Sequence, residues 1–515
     1  MSLDAKCLFR VWLSLFPLCF VFPVLSNTSL SEAISSEAKS SEAKSSNKTV
    51  IPDDIVGAVC VIRHADKIVM LSEVITQKFS LPGGYIDSGD TPKQAAAREA
   101  LEETGLVVSV DKLLQYRGRA AIYSCRSDTP ILVSSQTDQT GFPIVASWFS
   151  EHFGKEVKRV YLINPNEVAE KDYRYPNDTE LLTKWAEQTP ESDIEIYADL
   201  SDRVSSLHRT ELVLIRDFQQ WIKSWPESAQ WLFDGAMSVL NLPGEAVFLL
   251  VLISFVVGFY GPNAMLQLAV MLISVTLVAS LIKHGISSPR PSYIIPELQQ
   301  INVYGFGFPS GHTLIATVLW GMLWLFCRSR MSEGEQIHRL RGGMIPLFVG
   351  LVLGQAMARV WYGAHFISDT IASLVLGIIM LTLFVKWKKA TTFSLAQSIN
   401  NKWFWLLVTI VVGLITSFTH NPVHVYLFAV LLGIFISAEW LPKQPLTVSL
   451  ISRSMISVVA CLGAIAIVFI IDIAADRSTV SLIVLTLRSV GSLLATIWLV
   501  AGMSLLTKKL AEKTV

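Results

Sequence analysis

The sequence predicts a soluble domain followed by an all-α polytopic membrane domain, a bundle of apolar helices. Three observations predict it. Hydrophobic residues make up 51% of the 515, charged residues only 16%, and the mean hydropathy is +0.47. That is too apolar for an ordinary soluble protein. The charge is uneven: the chain is mixed and polar from about residue 51 to 230, and mostly long apolar runs from about 243 onward. The apolar runs also open on chemistry, as in FPSGHTLIATVLWGMLWLF, Phe308–Phe326, where a serine, a glycine and a histidine stand at the mouth of a membrane helix. The 42 basic residues balance 42 acidic ones, so there is no electrostatic footprint for nucleic acid.

The N-terminus has Lys6 and Arg10, then the apolar VWLSLFPLCFVFPVL, Val11–Leu25. A charged region before a short apolar one reads as a signal peptide or N-terminal anchor over 1–26, with an exported chain after it. SEAISSEAKSSEAKS, Ser31–Ser45, repeats a five-residue unit of small and charged residues that buries no core. It predicts a disordered linker over 27–50. Of six cysteines, only Cys60 and Cys125 share the soluble domain. Two readings stay open: a disulfide in an oxidising compartment, or two buried thiols on neighbouring strands.

In the soluble domain GAVCVIR and KIVML flank HAD, a hairpin pattern. FSLPGGYIDSGDTPKQAAAREALEETGLVV follows. Asp90 or Thr91 can cap a helix there, Pro92 fits its first turn and Gly105 ends it. Glu99, Glu102 and Glu103 share one face of that helix. Such an acidic face is solvated, or it holds a hard divalent cation that brings substrate phosphates with it.

The stretch closely resembles the Nudix hydrolase signature, through Gly84, Asp90, Arg98, Glu99, Ala100, Glu102, Glu103, Gly105 and Leu106. Position 90 is Asp where the pattern has Glu. The resemblance covers 51–190 and implies an α/β/α sandwich that hydrolyses a phosphoanhydride with Mg²⁺ or Mn²⁺. It implies Glu99, Glu102 and Glu103 as metal ligands and Arg98 as the residue orienting them. A connector over 191–242 follows; its segment Asp193–Trp225 is partly amphipathic, as for a helix lying at a membrane surface.

Apolar runs then recur at about 243–260, 264–282, 312–327, 344–358 and 366–385, with four more between about 403 and 506. Three polar clusters sit at their ends. Lys283 is followed by Arg290 and Pro291, PSGH spans Pro309–His312, and Arg359, His365 and Asp369 lie in ARVWYGAHFISD. Alternating spans put all three on one face of the membrane. Three cations suit a phosphate dianion. Ser310 and Gly311 open a helix whose free N–H groups also favour an anion. Asp369, read as one turn beyond His365 on the same helix, can hold its imidazole. One histidine then attacks phosphorus while the other protonates the leaving oxygen.

The three clusters resemble the pattern of the type 2 phosphatidic acid phosphatase superfamily over about 225–390: Lys-x6-Arg-Pro, Pro-Ser-Gly-His and Ser-Arg-x5-His-x3-Asp. Ala358 replaces its serine. The resemblance implies His365 as nucleophile, Asp369 as its partner and His312 as general acid. Lys283, Arg290, Ser310, Gly311 and Arg359 cradle the phosphate, and no metal is required. The membrane domain proper is read over 243–390, with four further helices of unknown role over 391–515.

Arginines in Arg328–Arg341 and lysines in Lys386–Lys389 mark cytoplasmic loops. Both the clusters and the Nudix-like domain are then outside, in a bacterial inner membrane. The expected activity is dephosphorylation of a lipid. The family's range suggests an isoprenyl diphosphate such as undecaprenyl diphosphate, or a phospholipid phosphate. The Nudix-like domain would cleave a diphosphate-linked compound. The alternatives are a non-catalytic, ligand-binding Nudix-like domain and a lipid flippase built on the last four spans, where Arg488 lies deep in an apolar run.

Overall fold

The computed structural model describes residues 52, 54–330, 335–442 and 448–512. The leader, the repeat linker and side chains of part of the Arg328–Arg341 loop lie outside the described residues.

The soluble domain is built on a ten-stranded mixed sheet. Its strands are β1 Gly57–His64, β2 Lys67–Glu73, β3 Phe79–Ser80, β4 Gly83–Tyr85 and β5 Val108–Arg117. Then come β6 Ala120–Ser127, β7 Ile131–Thr137, β8 Pro143–Val145, β9 Val157–Ile163 and β10 Ile194–Tyr197. The order is β10-β7-β8-β9-β2-β1-β6-β5, with β3 on β2 and β4 on β1. The last strand, β10, comes from what the sequence reads as connector.

The two-residue period of β1 decides the layers. Ala58, Cys60 and Ile62 pack against Ala95, Ala96 and Ala100 of helix α1, Pro92–Thr104. Val61 points to the other face, into a cluster with Leu182 and Trp185 of helix α2, Thr179–Glu187. Helix, sheet, helix is the α/β/α sandwich. The parallel β1–β6 pairing sets Ile62 opposite Cys125, and a disulfide joins Cys60 to Cys125. Of the two cysteine readings, the structure has the disulfide.

Helix α3, Ser206–Lys223, is amphipathic as expected. Its buried side, Glu211, Leu212, Ile215, Gln219 and Ile222, packs on protein rather than on lipid. Two helices follow with a 61° bend between them: α4, Glu227–Asn241, and α5, Ala246–Tyr260. Pro243 and Gly244 break the backbone ladder there.

Among the described residues, seven helical segments are long and apolar enough to cross a membrane, and the bent pair makes eight if it is one span. The protein is a multi-pass membrane protein. The helices of this region are α6 Pro262–Ile286, α7 Gly311–Arg330, α8 Glu335–Trp361 and α9 Ile367–Lys389, of which α7 is not among the seven. The C-terminal group is α10 Lys402–Thr419, α11 Pro422–Ser437, α12 Leu450–Asp476, α13 Ser481–Ile497 and α14 Met503–Glu512. One apolar cluster runs through both groups, from Leu266 and Leu268 through Leu314 and Met322 to Ile456, Ala460 and Val500. Helices α5 and α12 meet at Gly258, where a Cβ would come within 2.1 Å of Ser457 Oγ. A glycine is needed for that approach, the usual device where lipid supplies no hydrophobic drive.

Candidate active sites

In the membrane domain the three polar clusters converge. Lys283, at the end of α6, donates to the carbonyls of Phe306 (2.7 Å) and Gly307 (3.2 Å). Its Cε also lies 4.0 Å from where a Cβ on Gly311 would stand, so the first cluster touches the second. Arg290 is buried and spends its fork on four groups. Nε and Nη2 donate to Gly305 O and Tyr304 O at 2.9 Å each, and Nη1 donates to Ala364 O at 2.7 Å. The same Nη1 stands 3.1 Å from His365 Nε2.

That contact fixes the imidazole. A guanidinium only donates, so Nε2 accepts and the ring proton sits on Nδ1. Nδ1 lies 3.4 Å from Asp369 Oδ2, and both side chains are buried. Asp369 Oδ2 also accepts from Phe366 N at 3.0 Å, which locks the carboxylate at the mouth of α9. Here the sequence reading needs correction. His365 is not on the helix with Asp369: α9 begins at Ile367, and Phe366 is its cap. The left-handed Gly363 (φ 63°) turns the chain after α8, so His365 approaches from a loop. Gly307 must be glycine for the same closeness, since a Cβ there would stand 2.7 Å from Pro289 O and 3.1 Å from Asp369 Oδ2.

Ser310 is fully buried; its N–H reaches Asp369 O at 3.4 Å and its Oγ pairs with Thr313 Oγ1 at 2.9 Å. His312, one residue into α7, is partly exposed and faces Glu245 Oε1 at 3.4 Å. Arg359, at the end of α8, is buried and donates to Asn241 Oδ1 at 3.1 Å. Ala358, in the serine position of the resembled pattern, is fully buried. All eight residues singled out in the membrane domain thus border one region.

Four residues around this region carry no local signal in the sequence. Asn241 and Glu245 are brought in by the bend between α4 and α5. Glu211 of α3 accepts from Ser368 N (2.7 Å) and Ser368 Oγ (3.0 Å), holding the first turn of α9. Arg159 of β9 donates to Val303 O at 2.7 Å and Gln299 Oε1 at 3.1 Å, and pairs with Asp138 at 3.4 Å. The soluble domain therefore grips the 299–307 loop whose next four carbonyls hold Lys283 and Arg290. Phe153 reinforces the grip, with its ring 5.5 Å from Phe306 and 5.8 Å from Tyr293.

The second site is on α1. Thr91 is the N-cap, in a capping box with Gln94, and Gly105 closes the helix at φ 76°. Asp90, the other capping candidate, instead accepts from Arg98 Nε at 3.0 Å. Arg98 Nη1 reaches Glu99 and Glu102 at 2.9 Å each, so the expected ion pairing of Arg98 with the glutamates is present. Gly84 lets the turn pass over Glu99: a Cβ would stand 2.5 Å from its carboxylate.

Ligand atoms of Glu99, Glu102 and His152 lie within 4.8 Å of one another. Two carboxylates and an imidazole suit Mg²⁺ less well than Mn²⁺, but they fit a divalent cation. His152 Nδ1 is buried without a hydrogen-bond partner, which adds an available donor. Glu103 is directed elsewhere, accepting from Gly83 N at 2.8 Å. Burial pushes the Glu103 carboxyl well above its usual range against that hydrogen bond, and burial raises Glu99 against the pull of Arg98. His152 lies far from the signature in sequence. Its backbone N–H bonds to Glu102 O at 2.9 Å, a tertiary contact with no sequence cue.

Comparisons with known proteins match the two domains that carry these sites. The profile of the NUDIX domain matches residues 53–189, and that of the PAP2 superfamily matches 264–393. A lipid phosphate phosphatase delta of Arabidopsis thaliana is 26% identical over 184 residues, 34% of this chain and 42% of that protein. Phosphatidylglycerophosphatase B of Bacillus subtilis is 25% identical over 110 residues, 21% of this chain and 49% of that protein. The chain thus spans about half or less of the length of these relatives. A crystal structure of a PAP2-type phosphatidylglycerolphosphate phosphatase from Bacillus subtilis superposes with TM-score 0.31 at 18% identity, over 38% of this chain and 93% of that one. An ADP-ribose pyrophosphatase from Streptococcus suis does so with TM-score 0.20 at 18% identity, over 27% and 95%. The chain carries a NUDIX domain followed by a membrane domain of the PAP2 superfamily.

Proposed function

We propose that the membrane domain is a metal-independent lipid phosphatase acting through a phosphohistidine. The observation that carries this is the buried His365, with Nδ1 toward Asp369 and Nε2 toward Arg290. Substrate phosphate takes the place now filled by the Arg290–His365 contact, and Lys283, Arg290, Arg359, Ser310 and the Gly311 end of α7 neutralise it. Nε2 attacks phosphorus, forming a P–N bond as the P–O bond to the lipid breaks. His312 gives its proton to the departing oxygen. Water then attacks phosphorus, His312 takes that water's proton, and phosphate leaves His365 free. Asp369 holds the Nδ1 proton through both steps.

The substrate is a lipid phosphate or an isoprenyl diphosphate such as undecaprenyl diphosphate. The names of the two relatives support the lipid class. The extracytoplasmic face of a bacterial inner membrane fits best: the Lys386–Lys389 end of α9 lies at the opposite end of that helix from Asp369, and the Cys60–Cys125 disulfide suits an oxidising compartment.

The Nudix-like domain is proposed to hydrolyse a diphosphate-linked compound. Glu99, Glu102 and His152 would hold a divalent cation, with Glu103 behind them. Such a cation supplies charge neutralisation and a more acidic water. A second reading, ligand binding without turnover, is favoured by one observation: Arg98 ties together Asp90, Glu99 and Glu102.

The test is phosphate release by purified protein in detergent with EDTA, from undecaprenyl diphosphate and a panel of phospholipid monophosphates, beside His365→Ala. Release that resists EDTA and vanishes in the variant supports the histidine mechanism and ranks the substrates. No release from any lipid overturns it.

A further inference from the structure

The bend between α4 and α5 does more than fit two helices into the bundle. It delivers Asn241 and Glu245 to the two residues of the phosphate site that the other polar contacts leave open, Arg359 and His312. Asn241 Oδ1 accepts from Arg359 at 3.1 Å, and Asn241 Nδ2 donates to Glu245 Oε1 at 3.1 Å. The same Oε1 lies 3.4 Å from His312 Nε2. The chain between them passes so close that a Cβ on Gly244 would stand 1.9 Å from the His312 ring. Helix, glycine turn and carboxylate together wrap one edge of the imidazole.

We propose that Glu245 is the positioning residue of the general acid: it holds the Nε2 proton of a charged His312, so that the Nδ1 proton goes to the leaving oxygen. The inference rests on the phosphatase reading above and adds a residue to it. Protons balance. The imidazolium carries two, Glu245 keeps one in a hydrogen bond, and the leaving oxygen takes the other as its bond to phosphorus breaks. Water returns that proton in the second step. The arrangement repeats on His312 what Asp369 does for His365, with the opposite purpose. Each carboxylate orients one ring proton: on His365 this turns Nε2 to attack, and on His312 it leaves the Nδ1 proton to be donated.

A carboxylate is needed here because the phosphate site is otherwise cationic: Arg359, Arg290 and Lys283 all border it. His365 stands beyond them, and Asp369 is engaged with His365. Among the described residues, Glu245 is the acidic group within ion-pair distance of His312.

A positioning residue for an acid has a signature that a structural residue lacks. Protonation matters when the leaving group is an alkoxide and hardly at all when it is a nitrophenolate. Glu245→Gln is compared with wild type on two substrates: the phospholipid monophosphate that wild type hydrolyses fastest, and p-nitrophenyl phosphate. The expected result is a loss of about 10-fold or more on the lipid and less than about 3-fold on the aryl ester. The alkaline limb of the lipid rate also moves to lower pH, because an imidazolium without its carboxylate loses its proton sooner. Equal losses on both substrates, or an unchanged limb, overturn the proposal. If Glu245→Gln is not recovered folded, Glu245→Ala is assayed with and without acetate. Restored lipid turnover supports the proposal, and none overturns it. Wild type inactive on both substrates would instead sink the phosphatase reading itself.

Discussion

The two sites are charge inverses of each other. On α1 one guanidinium, Arg98, stands within 3.4 Å of four carboxylates, those of Asp87, Asp90, Glu99 and Glu102. At the mouths of the membrane helices Lys283 and the buried Arg290 and Arg359 gather near the buried Asp369, with Glu211 behind the first turn of α9 and Glu245 at the rim. Both suit phosphate, by opposite routes. An excess of carboxylate repels phosphate until a divalent cation mediates, whereas an excess of cations takes phosphate directly. The difference follows from position. Site one sits on a partly buried helix face whose Glu102 and His152 still reach water, where a hydrated metal can arrive. Site two sits where helix ends converge and backbone carbonyls compensate the buried cations.

The largest effect expected from this contrast is at His365. His365→Ala removes the proposed attacking atom and is expected to lower EDTA-resistant phosphate release by about 10³-fold or more. A residual lipid phosphatase that requires Mg²⁺ would break the comparison, because the acidic site would then account for lipid turnover. The next is Glu102→Gln, which deletes one charge from the metal cluster. Mn²⁺ affinity, read by calorimetry on the full-length protein, is expected to fall by about 10-fold to 100-fold. EDTA-resistant lipid turnover should stay within about twofold, since Glu102 touches nothing in the membrane site. Unchanged Mn²⁺ affinity would leave the α1 cluster as an ordinary solvated face.

How much of this was legible in sequence depends on how far each signal travels. The spacing from Lys283 to Arg290 and from Arg359 to His365 and Asp369 is short, so the helix ends carry it intact. The Nudix signature is one continuous turn and helix, and Arg98 meets Glu102 where the i, i+4 rule puts it. His365 was misplaced by a single turn because Gly363 breaks the helix before it. Glu211, Arg159, Asn241, Glu245 and His152 were invisible for a different reason. Each is one polar residue in an ordinary setting, and acquires its role from a tertiary contact. The amphipathic stripe of α3 was plain, but not its partner: an apolar face in a membrane protein does not say whether protein or lipid covers it.

Arg159 sharpens the comparison by linking its two halves. It is a soluble-domain residue, 5% exposed, and it anchors Val303 just ahead of the carbonyls that hold Lys283 and Arg290. Arg159→Gln should loosen that loop and raise KM for the lipid by about 10-fold, with kcat changed less, if the proposed cradle binds phosphate before chemistry begins. An equal fall in kcat with KM constant would mean that the loop acts on the transition state instead.

The smallest effect is expected at Arg488, and its smallness is informative. The sequence tied Arg488 to a lipid-flippase reading of the last four spans. The structure pairs it: Nε with Asp472 at 3.3 Å, Nη2 with Asp476 at 3.2 Å, and Nη1 with Ile75 O at 2.8 Å. Ile75 belongs to the turn after β2, so the guanidinium joins the C-terminal helices to the soluble domain. Asp472 and Asp476 are 49% and 69% exposed, and ion pairs that exposed are worth at most about 1 kcal/mol each. Arg488→Leu should therefore leave phosphate release within about twofold while lowering the unfolding temperature in detergent by a few degrees. The leucine returns an apolar side chain to an apolar helix, which offsets part of the lost pairing. A rate loss of tenfold or more would contradict this. It would mean that the C-terminal helices, through Ile75, bear on catalysis as directly as Arg159 does, and that the two charged sites work as one.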